Sequence, residues 1–596
     1  MPTSDYFAAD YTDARQKFLS AARDTDAALH CYAHPSLRDP GGGLLAADLQ
    51  LEEYLRSHGA AALQSAVSAG QYHFPDGLFF DGVTARRRAQ RRARAAALRT
   101  RDQDRVARGV LRGCTALAGG GLRQDGGLRT ALHPGAGRGV SGARRVRGNI
   151  ASKRSAPASA ALAAIAILFA CASGAKDWVI HAGTLLDGSG AAPRQRVSIL
   201  VHDDKILAVE PGFIATAGAE VIDLSAATVM PGFIDCHVHI SAQLPNRGNA
   251  TENWLTHTDI DRALDAALFT RQLLQQGFTS ARDVGGGDET VAVRNAIDAG
   301  KIPGPRLWVS LEPLGPTAGH GDPRNGLDPG LRHPGWDYGI VDSPEQARLR
   351  VREHRRRGAD LIKLMPSGGI GSTGDDPHLQ LMTDEEMRVA VETAHSLGMK
   401  VAAHIYPAAA IENAVRAGVD SVEHGSFATA QTFALMKAHG TYLVPTLSVY
   451  EVFYAAARDH PELLPPGSAA KELANDLLPK RNFPLAVKSG VKIAYGTDLG
   501  QGDHAREFAL MIENGLAPID ALAAATRIAA DLLGASDRIG TVQPGLYADL
   551  VATAHDPLRD DAEFGRVSFV MKGGIVYRRD GAATAANTDD YDAERR

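Results

Sequence analysis

A chain of 596 residues is too long for one ordinary domain, and 44% hydrophobic with 22% charged residues is the balance of a folded globular protein. A net charge of −5 argues against a dedicated nucleic-acid binder taken as a whole, although the stretch from Arg86 to Arg147 is strongly basic. Four scattered cysteines, Cys31, Cys114, Cys171 and Cys236, exclude a disulfide framework and a cysteine-based zinc site, so any metal must be held by histidine and oxygen ligands.

In chain order, residues 1–84 come first. Two pieces, "DYFAADYTDARQKFLSAARDTDAALHCYAHPSLRDPGGGLLAADL" and "LRSHGAAALQSAVSAGQYHFPDGLFFDG", resemble separate parts of a bacterial carboxypeptidase-like zinc peptidase family. The intervening part, where that family keeps its metal ligands, is absent, so no activity is carried over. Residues 85–152 open on "ARRRAQRRARAAALRTRDQDRVARGVLRG", rich in arginine, without lysine and without an apolar period. Either a nucleic-acid-binding arm or a GC-rich stretch read out of frame would look like this, and disorder is expected there. Residues 153–175 carry a basic start at Lys153 and Arg154, an apolar run from Ala160 to Ala172, and the small residues Ser173-Gly174-Ala175. That is the form of an export signal; a buried apolar helix is the alternative, and the run is short for a membrane span. Phe169 argues against lipidation at Cys171. Because a signal works at an N-terminus, the functional protein is expected to start near Val146 or Ile150, after a fused or wrongly translated leader. Such a start predicts a periplasmic or secreted protein, and otherwise a cytoplasmic one.

From Lys176 the text becomes orderly. "WVIHAGTLLDG", "RVSILVHDDKILAVEP" and "EVIDLSAATVMPG" read as short strands punctuated by Gly, Asp and Pro, and "GLYADLVATAHDPL" and "VSFVMKGGIVYRR" match them near the other end. Residues 176–230 and 536–580 are therefore expected to form one small β-sandwich, closing near Tyr577, with a polar tail over 581–596. Between them, residues 231–535 alternate apolar strands with helical segments. The strands are "GFIDCHVH", "FTSARDV", "PRLWVSL", "ADLIKLM", "KVAAHIY", "DSVEHGS", "TYLVPTL" and "VKIAYGTD". Capping boxes begin helices at Ser343 and Thr383, and Gly398 ends the second of them. Eight such units predict an α/β fold, a (β/α)8 TIM barrel.

Chemistry in these barrels sits at the C-terminal ends of the strands. Strand one ends with His237 and His239, strand four carries Lys363, strand five His404, strand six His424 and strand eight Asp498. Strand period two puts His237 and His239 on one face, so both can hold one cation. Imidazole and carboxylate suit zinc and similar divalent ions. Singly, each residue has a plain structural alternative: a strand-end histidine is more often hydrogen-bonded scaffold, and Asp498 could cap a loop. Lys363 is harder to set aside, because an unpaired ammonium amid "DLIKLM" is costly. Joint occurrence at the ends of five strands points to a metal site.

The motifs "PGFIDCHVH", "GFTSARDVGG", "IKLMPSGG", "VAAHIY", "SVEHGS" and "YGTD" make the chain from about Lys176 to Tyr577 similar to the amidohydrolase superfamily of metal-dependent hydrolases. The likeness is to its imidazolonepropionase-related branch, which includes Xaa-Pro and Xaa-Arg/Lys dipeptidases and ochratoxin-hydrolysing amidohydrolases. The resemblance implies two divalent metal ions, expected to be zinc, bridged by a carboxylated Lys363. It implies that His237, His239 and Asp498 complete one metal and His404 and His424 the other, with Asp498 taking and passing on the proton. It also implies that His320 and Tyr406 contact the substrate carbonyl; a loop hydrogen bond and a packed aromatic are the alternatives. Arg282 is expected to make a structural ion pair.

The expected function is hydrolysis of a small-molecule amide or dipeptide, dipeptidase- or carboxypeptidase-like, with no nucleic acid partner for the catalytic region. A deaminase or imidazolonepropionase-like reaction on a cyclic C–N bond is the alternative; such relatives often use one metal and lack the strand-four lysine. Ligand-free relatives that act as assembly proteins are a third class, opposed by the six ligand candidates. Relatives commonly form rings, so a homo-oligomer is expected. The segments "GSTGDDPHLQLM" and "SVYEVFYAAARDHPELLPPG" follow strands four and seven, and by position they should shape the pocket.

Overall fold

Short β-branched runs from the two flanks meet in one small β structure, and the barrel is strung between them. The structure, a computed structural model, describes residues 177–587 apart from 245–247, 334 and 476–477. The peptidase-like fragment, the arginine-rich segment, the signal-like segment and the end of the tail lie outside the described residues. Among the described residues no helix is long and apolar enough to cross a membrane.

The first flank supplies β1 (Asp177–Leu185), β2 (Arg194–His202), β3 (Lys205–Pro211) and β4 (Glu220–Pro231). The barrel strands are β5 (Phe233–Val238), β6 (Phe278–Asp283), β7 (Arg306–Val309), β8 (Leu361–Leu364), β9 (Lys400–Pro407), β10 (Ser421–Phe427) and β11 (Tyr442–Val444). The second flank adds β12 (Leu550–Thr553), β13 (Val567–Lys572), β14 (Ile575–Arg579) and β15 (Ala582–Ala583). The flanks share one sheet of order β15-β14-β13-β12-β4-β1-β2-β3. Its two halves are joined through β4, which pairs on one side with β1, over Glu220–Leu224 and Thr228–Val229, and on the other with β12, over Thr228–Pro231. A bulge within the β1–β4 pairing presses on Gly183, where a Cβ would sit 2.4 Å from the Ser225 carbonyl oxygen. Both halves bury apolar side chains in one core, with Ile180, Ile199 and Val201 from one and Leu550, Phe569 and Met571 from the other. The sheet runs past Tyr577, because the two-residue β15 pairs with β14.

In the barrel, β5, β6 and β7 form one parallel set and β8 to β11 another. A bridge from Leu314 to Leu364 joins them. "VKIAYGTD" takes the eighth position through bridges alone, Ile493 to Leu443 and Leu499 to Val238. Close approach explains why it makes no regular strand. A Cβ on Gly496 would lie 2.3 Å from Val444 Cγ1 and 2.8 Å from His237 Cβ, so the last strand passes its neighbours there with no room for a side chain. The helix Asp384–Ser396 starts on a full capping box at Thr383, and Gly398 follows its end in the left-handed conformation. The box expected at Ser343 is only half formed. Its hydroxyl accepts from the Gln346 N–H, but the Gln346 side chain accepts from Asp342 N–H instead.

Phe233 and Phe278, at the starts of β5 and β6, pack with Phe508 and Phe564. Burying each such ring contributes about 2 kcal/mol. These rings pack the starts of β5 and β6 against the helix Arg506–Glu513 and the turn Asp561–Gly565, and the C-terminal ends of the strands are left for chemistry.

Candidate metal centre

The opening motif is divided between two environments. Ile234 and Cys236 sit in a core with Tyr442, Val444, Ala529, Ala530 and Leu532. Burial pushes the Cys236 thiol up to about 12, so it offers no thiolate. Asp235 hydrogen-bonds Thr497 and His504, and after a register shift that follows it His237 and His239 face the cavity. All eight residues predicted from the sequence, His237, His239, His320, Lys363, His404, Tyr406, His424 and Asp498, line one cavity of about 180 Å³.

Asp498 is the hub. Its Oδ1 lies 2.9 Å from His239 Nε2 and 3.3 Å from His237 Nε2, and its Oδ2 lies 4.0 Å from His424 Nε2. Donor atoms of His237, His424 and Asp498 all lie within 4.8 Å of one another. Lys363 Nζ stands 3.4 Å from His237 Nε2. His404 packs on His424 with ring centroids 4.6 Å apart. His320 stacks on the His404 ring at 4.3 Å, and Tyr406 meets that ring edge-on at 4.7 Å.

The outer faces of three histidines are already engaged. His237 Nδ1 hydrogen-bonds Glu423 at 2.8 Å, His239 Nδ1 the Gly285 carbonyl at 3.0 Å, and His424 Nδ1 the Thr446 hydroxyl at 2.7 Å. A ring fixed through Nδ1 presents Nε2 inward with its lone pair available, the usual arrangement of metal-binding histidine. The donor set therefore fits a divalent cation. Backbone strain collects at the same place: His424 (φ 69°), Thr446 (φ 51°) and Asp498 (φ 61°) are all left-handed.

Electrostatics follow from burial. Desolvation pushes the His404 and His424 imidazoles well below their usual range, keeping them neutral. Burial brings the Lys363 amine down to about 8. Burial also pushes the Asp498 carboxyl up, but His237 and His239 more than reverse this and hold it well below the usual carboxylate range. For His239, burial lowers the imidazole and Asp498 more than compensates, raising it.

The expected ion pair of Arg282 is present, with Glu423 at 2.9 Å. It does more than tie the scaffold, because Glu423 also orients His237. Burial pushes that carboxyl up, yet Arg282 first and His237 next draw it well below its usual range. Glu423 and Thr446 escaped the sequence reading. The signal for Glu423 stood in "SVEHGS", one residue before His424. Replacing Glu423 by glutamine leaves the Arg282 guanidinium buried without a counter-charge. We expect a loss of about 3 kcal/mol or more, read as a fall in the midpoint of urea unfolding.

His320 belongs to a second network. Its Nδ1 shares a hydrogen bond with Ser372 at 2.7 Å, and the Ser372 hydroxyl donates to Asp375 at 2.5 Å. The two segments singled out by position also line the cavity, through Gly371 in the loop after strand four and Val449, Tyr450 and Phe453 on the helix Leu447–Asp459 after strand seven.

A family model described as "Amidohydrolase family" matches residues 228–577. A second, "Protein of unknown function (DUF2817)", matches residues 44–107. Ochratoxinase from Aspergillus niger is 35% identical over 443 residues, which is 70% of this chain and 89% of the relative. The crystal structure of a Xaa-Pro dipeptidase with methionine bound in its active site superposes with a TM-score of 0.65 at 33% identity, covering 68% of this chain and 100% of that one. A prolidase in complex with N-methylphosphonate-L-proline gives a TM-score of 0.63 at 33% identity over the same shares of the two chains.

Proposed function

The chain belongs to the amidohydrolase family and is a hydrolase of carbon–nitrogen bonds, and we propose that it uses two divalent ions to cleave the amide or peptide bond of a dipeptide or N-acyl amino acid, releasing a C-terminal amino acid. The observation that carries this reading is the common aim of three Nε2 atoms, each fixed from behind, at the two oxygens of Asp498. His237, His239 and Asp498 would hold one ion, His404 and His424 the other, and Lys363, as its carbamate, would bridge them. When bound, the ions supply Lewis acidity for the scissile carbonyl and lower the pKa of a water near neutrality.

The chain's own groups do the rest. Asp498 sits where a carboxylate can take a proton from the attacking water and deliver it to the departing amine nitrogen. His320 and Tyr406 face the same cavity from either side of His404, where their hydrogen-bond donors can meet the carbonyl oxygen as charge builds on it. The Ser372 hydroxyl donates to Asp375, so it accepts from Nδ1–H of His320. Donation from His320 Nε2 then uses the protonated ring, whose charge the Asp375 carboxylate balances from 3.6 Å. A lysine inside the histidine cluster also favours this reading over the single-ion deaminase class.

Metal analysis of the purified protein should return about two divalent ions per chain. Dialysis against a chelator should abolish cleavage across a panel of dipeptides and N-acyl amino acids, and zinc should restore it. Full turnover by metal-free protein would overturn the proposal.

A further inference from the structure

The residues of the histidine cluster lie outside the helix Ser468–Asn475, yet this helix reaches the site through Lys471. Lys471 Nζ donates to the carbonyls of Gly369 at 2.5 Å, Ser372 at 2.6 Å and Asp375 at 3.3 Å, and to the Asp375 carboxylate at 3.0 Å. The three N–H bonds of one ammonium thus meet four oxygens of a single short loop, the one after β8. The Asp375 side chain, fully buried, ties the same loop from within. Its carboxylate accepts from the Gly369 N–H at 2.7 Å and from the Ser372 hydroxyl at 2.5 Å. Carbonyl and carboxylate oxygens repel one another when no cation stands between them, so loop 369–375 depends on Lys471 for this conformation.

That loop in turn decides how His320 sits. The His320 ring stacks on His404, with centroids 4.3 Å apart and planes 23° apart. It also lies against Gly369, where a Cβ would come 2.3 Å from His320 Cε1 and Nδ1. Stacking fixes the plane of an imidazole but accepts either of its two flipped orientations, because rotation about the last side-chain bond has a two-fold preference. A flip exchanges Nδ1 with Cδ2 and Nε2 with Cε1. The hydrogen bond between Nδ1 and the Ser372 hydroxyl, at 2.7 Å, selects one of the two. Ser372 holds its place only while the loop keeps its shape.

We infer that Lys471 is a positioning residue for His320: by folding the loop after β8 around its ammonium, it places the Ser372 hydroxyl that turns His320 Nε2 toward the scissile carbonyl. The role of His320 is that of the hydrolase reading above, on which the inference rests. Misplacing such a donor by about 1 Å costs on the order of 10²-fold. His320 meets charge that builds after binding, so the loss falls on kcat rather than KM. In zinc-loaded protein, Lys471→Met should lower kcat by about tenfold or more, with KM and metal content close to the wild type. The decisive comparison is a double-mutant cycle with His320→Gln. A residue that acts through His320 has nothing left to act on in that variant, so adding Lys471→Met to it should change kcat by less than about twofold. A helix that merely holds the pocket together would cost the same factor in both backgrounds. That result, or a Lys471→Met enzyme as fast as the wild type, would overturn the inference. Should Lys471→Met not fold in a thermal melt, Lys471→Gln, which keeps a donor, makes the same comparison. Should the loaded wild type cleave no dipeptide or N-acyl amino acid, the hydrolase reading fails, and the link is read without turnover. In protein carrying nitrogen-15 histidine, the Nδ1–H proton of His320, assigned by its loss in His320→Gln, should vanish or move upfield in Lys471→Met. An unmoved signal would remove Lys471 from the path.

Discussion

Asp498→Asn should lower kcat/KM by about 10³-fold or more while leaving the fold intact. The substitution keeps the size and shape of the side chain and removes one thing, the charge that His237 and His239 converge on. Asparagine is the right replacement for a second reason. Asp498 sits at φ 61°, a left-handed conformation that asparagine adopts at least as readily as aspartate and that most residues resist. Asp498→Ala would mix the loss of the carboxylate with backbone strain, whereas the asparagine variant isolates the chemistry. An amide oxygen can still approach a cation weakly, but it takes up no proton at neutral pH. The proton relay is therefore lost even where metal remains. Steady-state kinetics with zinc in excess, beside a thermal melt and metal analysis, make the check. A variant within tenfold of the wild type would remove Asp498 from the proton path.

Much of this site can be read from the letters because a barrel converts sequence order into place. A histidine or aspartate at the C-terminal end of a strand has few places to go, and "HVH", "AAHIY", "VEHGS" and "YGTD" put theirs at the same rim. Lys363 stood out through its apolar neighbours. What stayed hidden is contact across the chain. Glu423 touches His237 from 186 residues away, and no periodicity within either strand announces the pairing. Lys471 organises the loop after β8 through backbone carbonyls, which carry no side-chain signature. The eighth strand illustrates the opposite error. Its β-branched start reads as a full strand, yet crowding at Gly496 and the turn at Asp498 reduce it to bridges. The small sandwich was legible as strands, but the place of β4 between β1 and β12 depends on pairing between the two ends of the chain, which alternation alone does not reveal.

Lys363→Ala should release the metal ions and reduce turnover to background, a loss of about 10³-fold or more. A lysine with 1% exposure, its Nζ 3.4 Å from an imidazole nitrogen aimed the same way, makes poor sense as a simple ammonium. A cation there would repel the very ions that the histidines and Asp498 are arranged to attract, and its desolvation outweighs the pull of Glu423 and Asp498. Addition of carbon dioxide to the neutral amine forms an N–C bond, releases one proton and turns a repelling group into an anionic bridge. Three consequences separate this from a structural lysine. Native mass spectrometry should find the wild type heavier by one carbon dioxide, an increment absent from Lys363→Ala. Metal loading of apoprotein should speed up with added bicarbonate. In the alanine variant, a short carboxylic acid diffusing into the vacated space should restore part of the activity, whereas Lys363→Arg, which keeps the charge and cannot be carboxylated in this way, should stay inactive. A wild type without the increment that still binds two ions, or an active arginine variant, would show that the lysine merely fills the barrel.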